Sequence, residues 1–348
     1  MRSLELFSGC GGLAKGLELA GFEHRAFVEV NKWACKSLRA NFDPALVHEV
    51  DVRAFDFNSV GTVDLIAGGP PCQPFSLGGL SRADEDSRDM FPQAIRAIHE
   101  LMPKGFIFEN VKGLLRKGFS DYFEYIILRL TFPEQVPPVG QGWREHLTEL
   151  RSVKFSSYGG LKYDVQYRLL NAVDYGVPQR RERVFIVGLR NDLELKWEWP
   201  TKVSGRTTIA DVIGRLPDAR RDNGLGDHVF VDGAREYPGH TGSDYDKPSK
   251  TIKAGAHGVP GGENMIRFPD GSLRYMTVHE AKLIQTFPGD YRICGSWGEA
   301  LRQIGNAVPV QLARLMGEQM KRTLDAGTQR GARRRNGRNP GLLRFGVA

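Results

Sequence analysis

Cysteine is scarce in this chain: there are four in 348 residues, Cys10, Cys35, Cys72 and Cys294, and none stands in a CxxC pair or at zinc-finger spacing. That excludes a disulfide-stapled scaffold and a thiolate metal site, and it fits a reducing, cytoplasmic compartment. Long apolar runs are missing as well. None approaches the roughly 20 residues that cross a bilayer, and Met1 to Phe7 reads as a strand without a basic leader, so neither a membrane nor a secretory route is expected. No internal repeat occurs. An acidic excess is also absent: 48 Lys and Arg stand against 41 Asp and Glu, a net charge of +7. This favours a polyanionic partner without requiring one. Hydrophobic residues at 41% and charged residues at 26% exclude wholesale disorder.

What is present is an alternation of short β-type runs with helical periodicity. Ser3 to Phe7, Ala26 to Val30, Val63 to Ala67, Phe106 to Phe108 and Val184 to Leu189 read as buried strands. Leu13 to Ala20, Lys32 to Asn41 and Gln93 to Leu101 read as helices between them. The order predicts an α/β, Rossmann-like fold with a doubly wound, mostly parallel sheet and ligands at the carboxyl ends of its strands. Residues 131–142 read as an ordered surface loop inside a first domain, 1–190. From 191 to 272 the chain is rich in Gly, Asp, Lys, Arg and His with little sustained periodicity, which predicts a small, loop-rich second domain. Helical patterns at Thr277 to Gln285 and Val310 to Leu324 bring 273–326 back to the first domain. Gly327 to Ala348, with Arg333, Arg334, Arg335 and Arg338 among glycines, reads as a basic mobile tail.

Four segments carry chemistry. Leu4-Glu5-Leu6-Phe7 enters Ser8-Gly9-Cys10-Gly11-Gly12 and then a helix, so the backbone can approach a ligand closely beside free helix N–H groups. Glu29 ends the next strand, where a carboxylate can accept ribose hydroxyls, and Asp51 follows a third. Such loops also serve as plain packing turns, so alone they point only to an adenosine-containing ligand. Cys72 lies in Gly68-Gly69-Pro70-Pro71-Cys72-Gln73-Pro74-Phe75-Ser76, held by prolines at the same sheet edge. A lone cysteine is usually an inert core residue, which is the reading for Cys35 and Cys294; Cys10 is set apart by its place in the glycine loop. Glu109 ends the strand Phe106-Ile107-Phe108, where an acid can protonate or hydrogen-bond a ring nitrogen. In Gln179-Arg180-Arg181-Glu182-Arg183 the alternating Arg181 and Arg183 fall on one face, suited to clamping a phosphate or carbonyl.

Together and in order, these segments resemble the DNA cytosine-5 methyltransferase family of the bacterial restriction-modification type. The match covers the glycine loop, Glu29, Asp51, the Pro-Cys-Gln segment, Glu109-Asn110-Val111 and Gln179 to Arg183. It continues through His279-Glu280 to Phe287-Pro288 and closes with Gln303-Ile304-Gly305-Asn306-Ala307-Val308-Pro309. The resemblance implies a methyltransferase that uses S-adenosylmethionine. Cys72 would be the nucleophile, Glu109 the acid at ring nitrogen 3, and Asn110, Arg181 and Arg183 their supports. Phe7, Gly9, Gly11, Gly12, Glu29, Asp51, Val52, Pro70 and Asn306 would line the cofactor, and no metal would be needed. The 191–272 stretch would be the target-recognition domain. Ser76, Arg82, Arg220, Arg221, Lys250, Thr251 and Lys253 would touch double-stranded DNA, and Thr251-Ile252 resembles the Thr-apolar pair that closes the family's recognition region. The chain is expected to act as a monomer, with room for a cognate restriction endonuclease acting on the same site.

Three positions depart from the family pattern. Glu5 replaces the usual Asp, Leu283 the usual Arg and Thr286 the usual Gly, which puts a salt bridge around Glu280 in doubt but not the reaction. The nearest alternative is a tRNA cytosine-5 methyltransferase with the same chemistry, disfavoured by the length of 191–272. An amino-group methyltransferase would carry an aromatic after Pro70-Pro71. A catalytically dead DNA-binding protein fits poorly with Cys72, Glu109 and Arg183 all present, and a dehydrogenase is supported by nothing beyond the glycine loop.

Overall fold

The expected first strand forms as β1 (Arg2–Leu6) and feeds the glycine loop into α1 (Gly12–Leu19). The structure is a computed structural model and describes residues 1–71, 89–236, 238, 241–254 and 264–336. Cys72, Ser76 and Arg82 lie outside the described residues, as do Gly255, His257, Gly258, Gly261, Gly262 and the tail from 337 onward.

The alternation continues as β2 (Glu23–Glu29), α2 (Lys32–Asn41), β3 (Val47–Glu49), β4 (Leu65–Gly68), α3 (Phe91–Leu101) and β5 (Gly105–Val111). Then come α4 (Ser120–Thr131), α5 (Trp143–Ser152), β6 (Tyr163–Asn171) and β7 (Glu182–Arg190). The strands form one seven-stranded sheet in the order β3-β2-β1-β4-β5-β7-β6. The first five are parallel to one another, while β7 is antiparallel to both β5 and β6. The strand order reverses beside β1, where chain leaving β1 and chain leaving β4 part to opposite sides and open a crevice. That crevice receives the glycine loop from one strand and the Pro70-Pro71 segment from the other.

Small, alternating apolar residues let helices cover both faces. Leu4, Leu6, Ile66, Phe106 and Phe108 are buried under α3, α4 and α5. Leu65, Ala67, Ile107 and Val187 are buried on the other face under α1 and α9 (Val310–Asn336). The last helix packs so closely on α1 that a Cβ at Gly16 would meet Ala313 Cβ at 2.3 Å, so the absence of a side chain there sets the approach of the two helices. Expected to end at Leu324, α9 runs on to Asn336, so the first ten residues of the expected mobile tail are helical. In the 131–142 loop Phe132 and Pro133 are buried, and the residues from Glu134 on are exposed or partly exposed.

A second sheet of three short strands, β8 (Ser243–Asp244), β9 (Met265–Arg267) and β10 (Leu273–Tyr275), lies in the order β10-β9-β8 with α6 (Ile209–Ile213). Its core joins Ile209, Ile213, Ile252 and Ile266 to Ile284 of α7 (Val278–Ile284) and Leu301 and Ile304 of α8 (Trp297–Asn306). Helices α7 and α8 thus share the small core, while α9 packs against α1 on the large sheet.

The salt bridge in doubt around Glu280 is present with a different partner. Arg274 Nη1 lies 2.7 Å from Glu280 Oε2, and that carboxylate also caps α7 by accepting the Thr277 N–H at 2.9 Å. With Leu283 turned to the apolar cluster, Lys282 is buried and donates to Gly289 O and Tyr291 O while pairing with Asp227. Thr286, where the family pattern has Gly, holds a left-handed φ of 62°, and its hydroxyl accepts the Gln311 N–H of α9 at 2.8 Å. Because Glu280 is almost wholly buried, Arg274→Ala strands a carboxylate and should cost about 3 kcal/mol. The denaturant midpoint of the variant checks this; a midpoint equal to the parent's would show that the pair contributes nothing.

Candidate active site

One cavity of about 760 Å³ opens at the carboxyl edge of β1, β2, β4 and β5. It is the size of a nucleoside-bearing ligand together with a reacting partner. Each wall can be traced to a short piece of sequence.

The glycine loop forms the floor. Phe7 lies in the left-handed region at φ 52°, a cost a bulky residue bears only when its surroundings hold it there, and such strain gathers at functional sites. Gly9 at φ 53° follows, and its N–H donates to Glu29 Oε2 at 2.8 Å. Glu29 Oε1 accepts from the Val30 and Asn31 N–H groups at 3.0 and 2.8 Å, so loop and carboxylate hold one another. Gly12 lines the cavity, and a Cβ there would strike Val308 O at 2.4 Å. Gly11 does not line it. A Cβ on it would meet the Tyr291 hydroxyl at 2.5 Å, so packing leaves no room for a side chain there.

Asp51 and Val52 form a second wall with Arg53. Arg53 Nη2 sits 2.6 Å from Asp51 Oδ2, and the guanidinium holds the Asp51 carboxyl below the usual carboxylate range. Arg96 of α3 fixes this turn from behind by donating to Val52 O at 2.7 Å. Asn306, at the end of α8, lines the cavity beside Arg302 and Gln303.

The third wall carries the other chemistry. Glu109 is buried, and Arg183 Nε lies 2.9 Å from its Oε1 across the β5–β7 pairing, in which Val111 faces Arg183. Asn110 Nδ2 donates to Pro70 O at 2.8 Å, tying the end of β5 to the segment that leads into Cys72. Pro70, Pro71 and Met90 line the cavity, and the Met90 N–H donates to Pro71 O at 3.0 Å, so the chain is pinned on both sides of 72–88. Cys10 is no competitor for the nucleophile's part. Its thiol is buried and directed to Gln303 O at 3.5 Å, and burial pushes its pKa up to about 12. Burial also pushes Cys35 up to about 12.

Arg181, expected beside Arg183 at the substrate, is placed elsewhere. It is wholly buried and donates to Gly305 O at 2.8 Å and Ala307 O at 3.0 Å, with Ile252 O at 3.4 Å. Burial pulls its pKa down to about 9, helped by neighbouring Arg183 and opposed by Glu109. The Gln179-Arg180-Arg181 run is thus a fastening between the two sheets. Gln179 Oε1 accepts the Ile252 N–H, and Ser249 accepts from and donates to the same segment. Thr251, expected at DNA, donates its hydroxyl inward to Arg180 O at 2.7 Å. Arg220, Arg221, Lys250 and Lys253 are exposed on the second unit, away from the cavity wall.

Sequence reasoning did not single out Arg53, Arg96, Arg274 or Arg302. The first and last adjoin motif residues, Asp51 and Gln303, and that adjacency is the only signal that could have found them.

The chain matches the model of the family described as C-5 cytosine-specific DNA methylase over residues 1–132 and 145–322, the gap overlapping the 131–142 loop. It is 34% identical over 335 residues to the Type II methyltransferase M.NgoMIV of Neisseria gonorrhoeae, covering 92% of this chain and 97% of that protein. Against the Type II methyltransferase M.AplI of Arthrospira platensis it is 32% identical over 343 residues, 92% of this chain and 86% of that one. Among solved structures, Spodoptera frugiperda DNMT2 shares the fold at TM-score 0.65 and 19% identity, over 92% of this chain and 99% of that one. Among the described residues, no helix is long and apolar enough to cross a membrane.

Proposed function

The chain belongs to the C-5 cytosine-specific DNA methylase family, and from that premise we propose that it methylates carbon 5 of a flipped cytosine at one short duplex site, with S-adenosylmethionine as donor and Cys72 as nucleophile. The observation that supports this reading is a single cavity holding two kinds of wall. Glu29, Asp51 and the glycine loop suit an adenosyl ligand, while Glu109 with Arg183 suits a pyrimidine edge.

The residues fit the cofactor. Glu29 can still accept ribose hydroxyls, Asp51 an amino group, and Phe7 offers a ring beside them. When bound, S-adenosylmethionine supplies an electrophilic methyl group on its sulfonium. Carbon 5 of cytosine is too electron-poor to take that group unaided. A thiolate at Cys72 adds to carbon 6 and raises the electron density at carbon 5. Glu109 donates a hydrogen bond or proton at ring nitrogen 3 as negative charge develops, and Arg183 keeps that carboxyl aimed while offering donors to the base carbonyl. After methylation a base removes the carbon 5 proton and the Cys72 thiolate leaves. Because chemistry on a base requires it out of the stack, the substrate is a flipped cytosine.

Duplex DNA incubated with the protein and methyl-labelled donor should gain label, and bisulfite sequencing should find it at one short recognition site. Label entering tRNA and not duplex DNA would overturn the polymer assigned. The relatives are named Type II methyltransferases, and we propose for this chain a cognate restriction endonuclease acting on the same site.

Sequence choice we assign to 191–272. Phosphate contacts position a protein on DNA, but base edges in the major groove must be read by dedicated side chains. The catalytic walls are committed to donor and cytosine, whereas Arg220, Arg221, Lys250 and Lys253 are exposed. Grafting this stretch from a family member of different specificity should carry that specificity across. An active chimera that still modifies the original site would refute the assignment.

A further inference from the structure

We infer that Arg302 binds the carboxylate of the donor's amino-acid end; this rests on the proposed use of S-adenosylmethionine. That molecule bears a single negative group, and three arginines stand in the cavity wall. Arg53 is engaged by Asp51 and Arg183 by Glu109, at the two ends assigned to the adenosine and to the cytosine. Arg302 lines the same cavity from the C-terminal half of α8. It is half-buried, and it lies within electrostatic range of Glu29 and Cys10, hence beside the glycine loop.

Its geometry is that of an aimed donor. Glu299 takes Nε at 2.9 Å and Nη2 at 2.6 Å, which fixes the plane of the guanidinium. Nη1 makes no bond among the described residues. The second observation comes from the loop itself: the Gly9 N–H is spent on Glu29 and the Gly11 N–H on Ser8 O, so two of its backbone donors are unavailable to an incoming anion. A carboxylate placed there is left with fewer backbone donors at the start of α1, and a side-chain cation supplies the charge they lack. The bland reading is an i,i+3 ion pair on a helix, which contributes little and leaves ligand binding unchanged.

The two readings separate in calorimetric titrations with S-adenosylhomocysteine and with its decarboxylated form, which keeps the adenosine, thioether and amine. In the parent, removing the carboxylate should weaken binding about 10- to 100-fold, the range for a hydrogen bond to a charged group. In Arg302→Met the two ligands should bind within about threefold of one another. Arg302→Gln should give the same result and serves where the methionine variant does not fold. A parent-like ratio in a folded variant overturns the role of Arg302. Failure of the parent to bind S-adenosylhomocysteine at all would instead sink the S-adenosylmethionine reading, and this inference with it.

Discussion

Cys72→Ser is expected to abolish methyl transfer, by roughly 10⁴-fold or more, the scale on which removing a covalent nucleophile acts. Serine lacks a thiolate at neutral pH and cannot add to carbon 6. Glu29, Asp51 and the glycine loop are untouched by the change, so donor affinity should stay within a few-fold of the parent. Of the other cysteines, Cys10 and Cys35 are held as thiols by burial and offer no substitute. Activity within tenfold of the parent would remove Cys72 from the mechanism. The covalent step has its own readout. Fluorine at carbon 5 cannot leave as a proton does, so 5-fluorocytosine DNA should trap the parent in a denaturant-resistant complex, and only when the donor is added. A substrate that is otherwise methylated but never trapped would count against the adduct.

The second large effect falls on Glu109 and Arg183. Both are substantially buried and 2.9 Å apart, so removing the guanidinium leaves an uncompensated carboxylate inside the protein. Arg183→Ala should cost about 3–5 kcal/mol in stability. Glu109→Gln keeps the shape and loses the acid, and should lower kcat by roughly 10²- to 10⁴-fold. The double variant gives the decisive comparison. With no buried charge to strand, it should be more stable than Arg183→Ala while remaining as inactive as Glu109→Gln, because neighbours that share one interaction are not additive. Double-variant stability equal to the sum of the single losses would mean that the two groups act independently.

Where the sequence was legible, the reason was periodicity or punctuation. The strands at Ser3 to Phe7 and Val184 to Leu189 and the helix at Lys32 to Asn41 were readable because interior strands buried on both faces are largely apolar runs, and amphipathic helices repeat every 3.6 residues. The strand β6 was not readable. It lies at the sheet's edge with Gln166, Tyr167 and Arg168 exposed, and so lacks the apolar run that betrays its neighbours. The helix α8 was hidden in a different way, its motif residues drawing attention to ligand chemistry and away from their spacing.

The sequence by itself determined the family, the central strands of the sheet, and that Gly9, Gly12, Glu29, Asp51 and Glu109 stand at its ligand edge, because those depend on local backbone chemistry and on the order of motifs. It could not decide between Arg181 and Arg183. Two residues apart, they look equivalent, yet one is spent fastening Gly305 and Ala307 and the other faces Glu109. Nor could it show that Arg274 would supply the cation missing at position 283, or that Gly11 answers to Tyr291. Those assignments join residues 6 positions apart for Arg274 and Glu280, 126 for Arg181 and Ala307, and 280 for Gly11 and Tyr291. The partner a side chain meets is set by how distant elements pack, and only the tertiary structure brings them into reach.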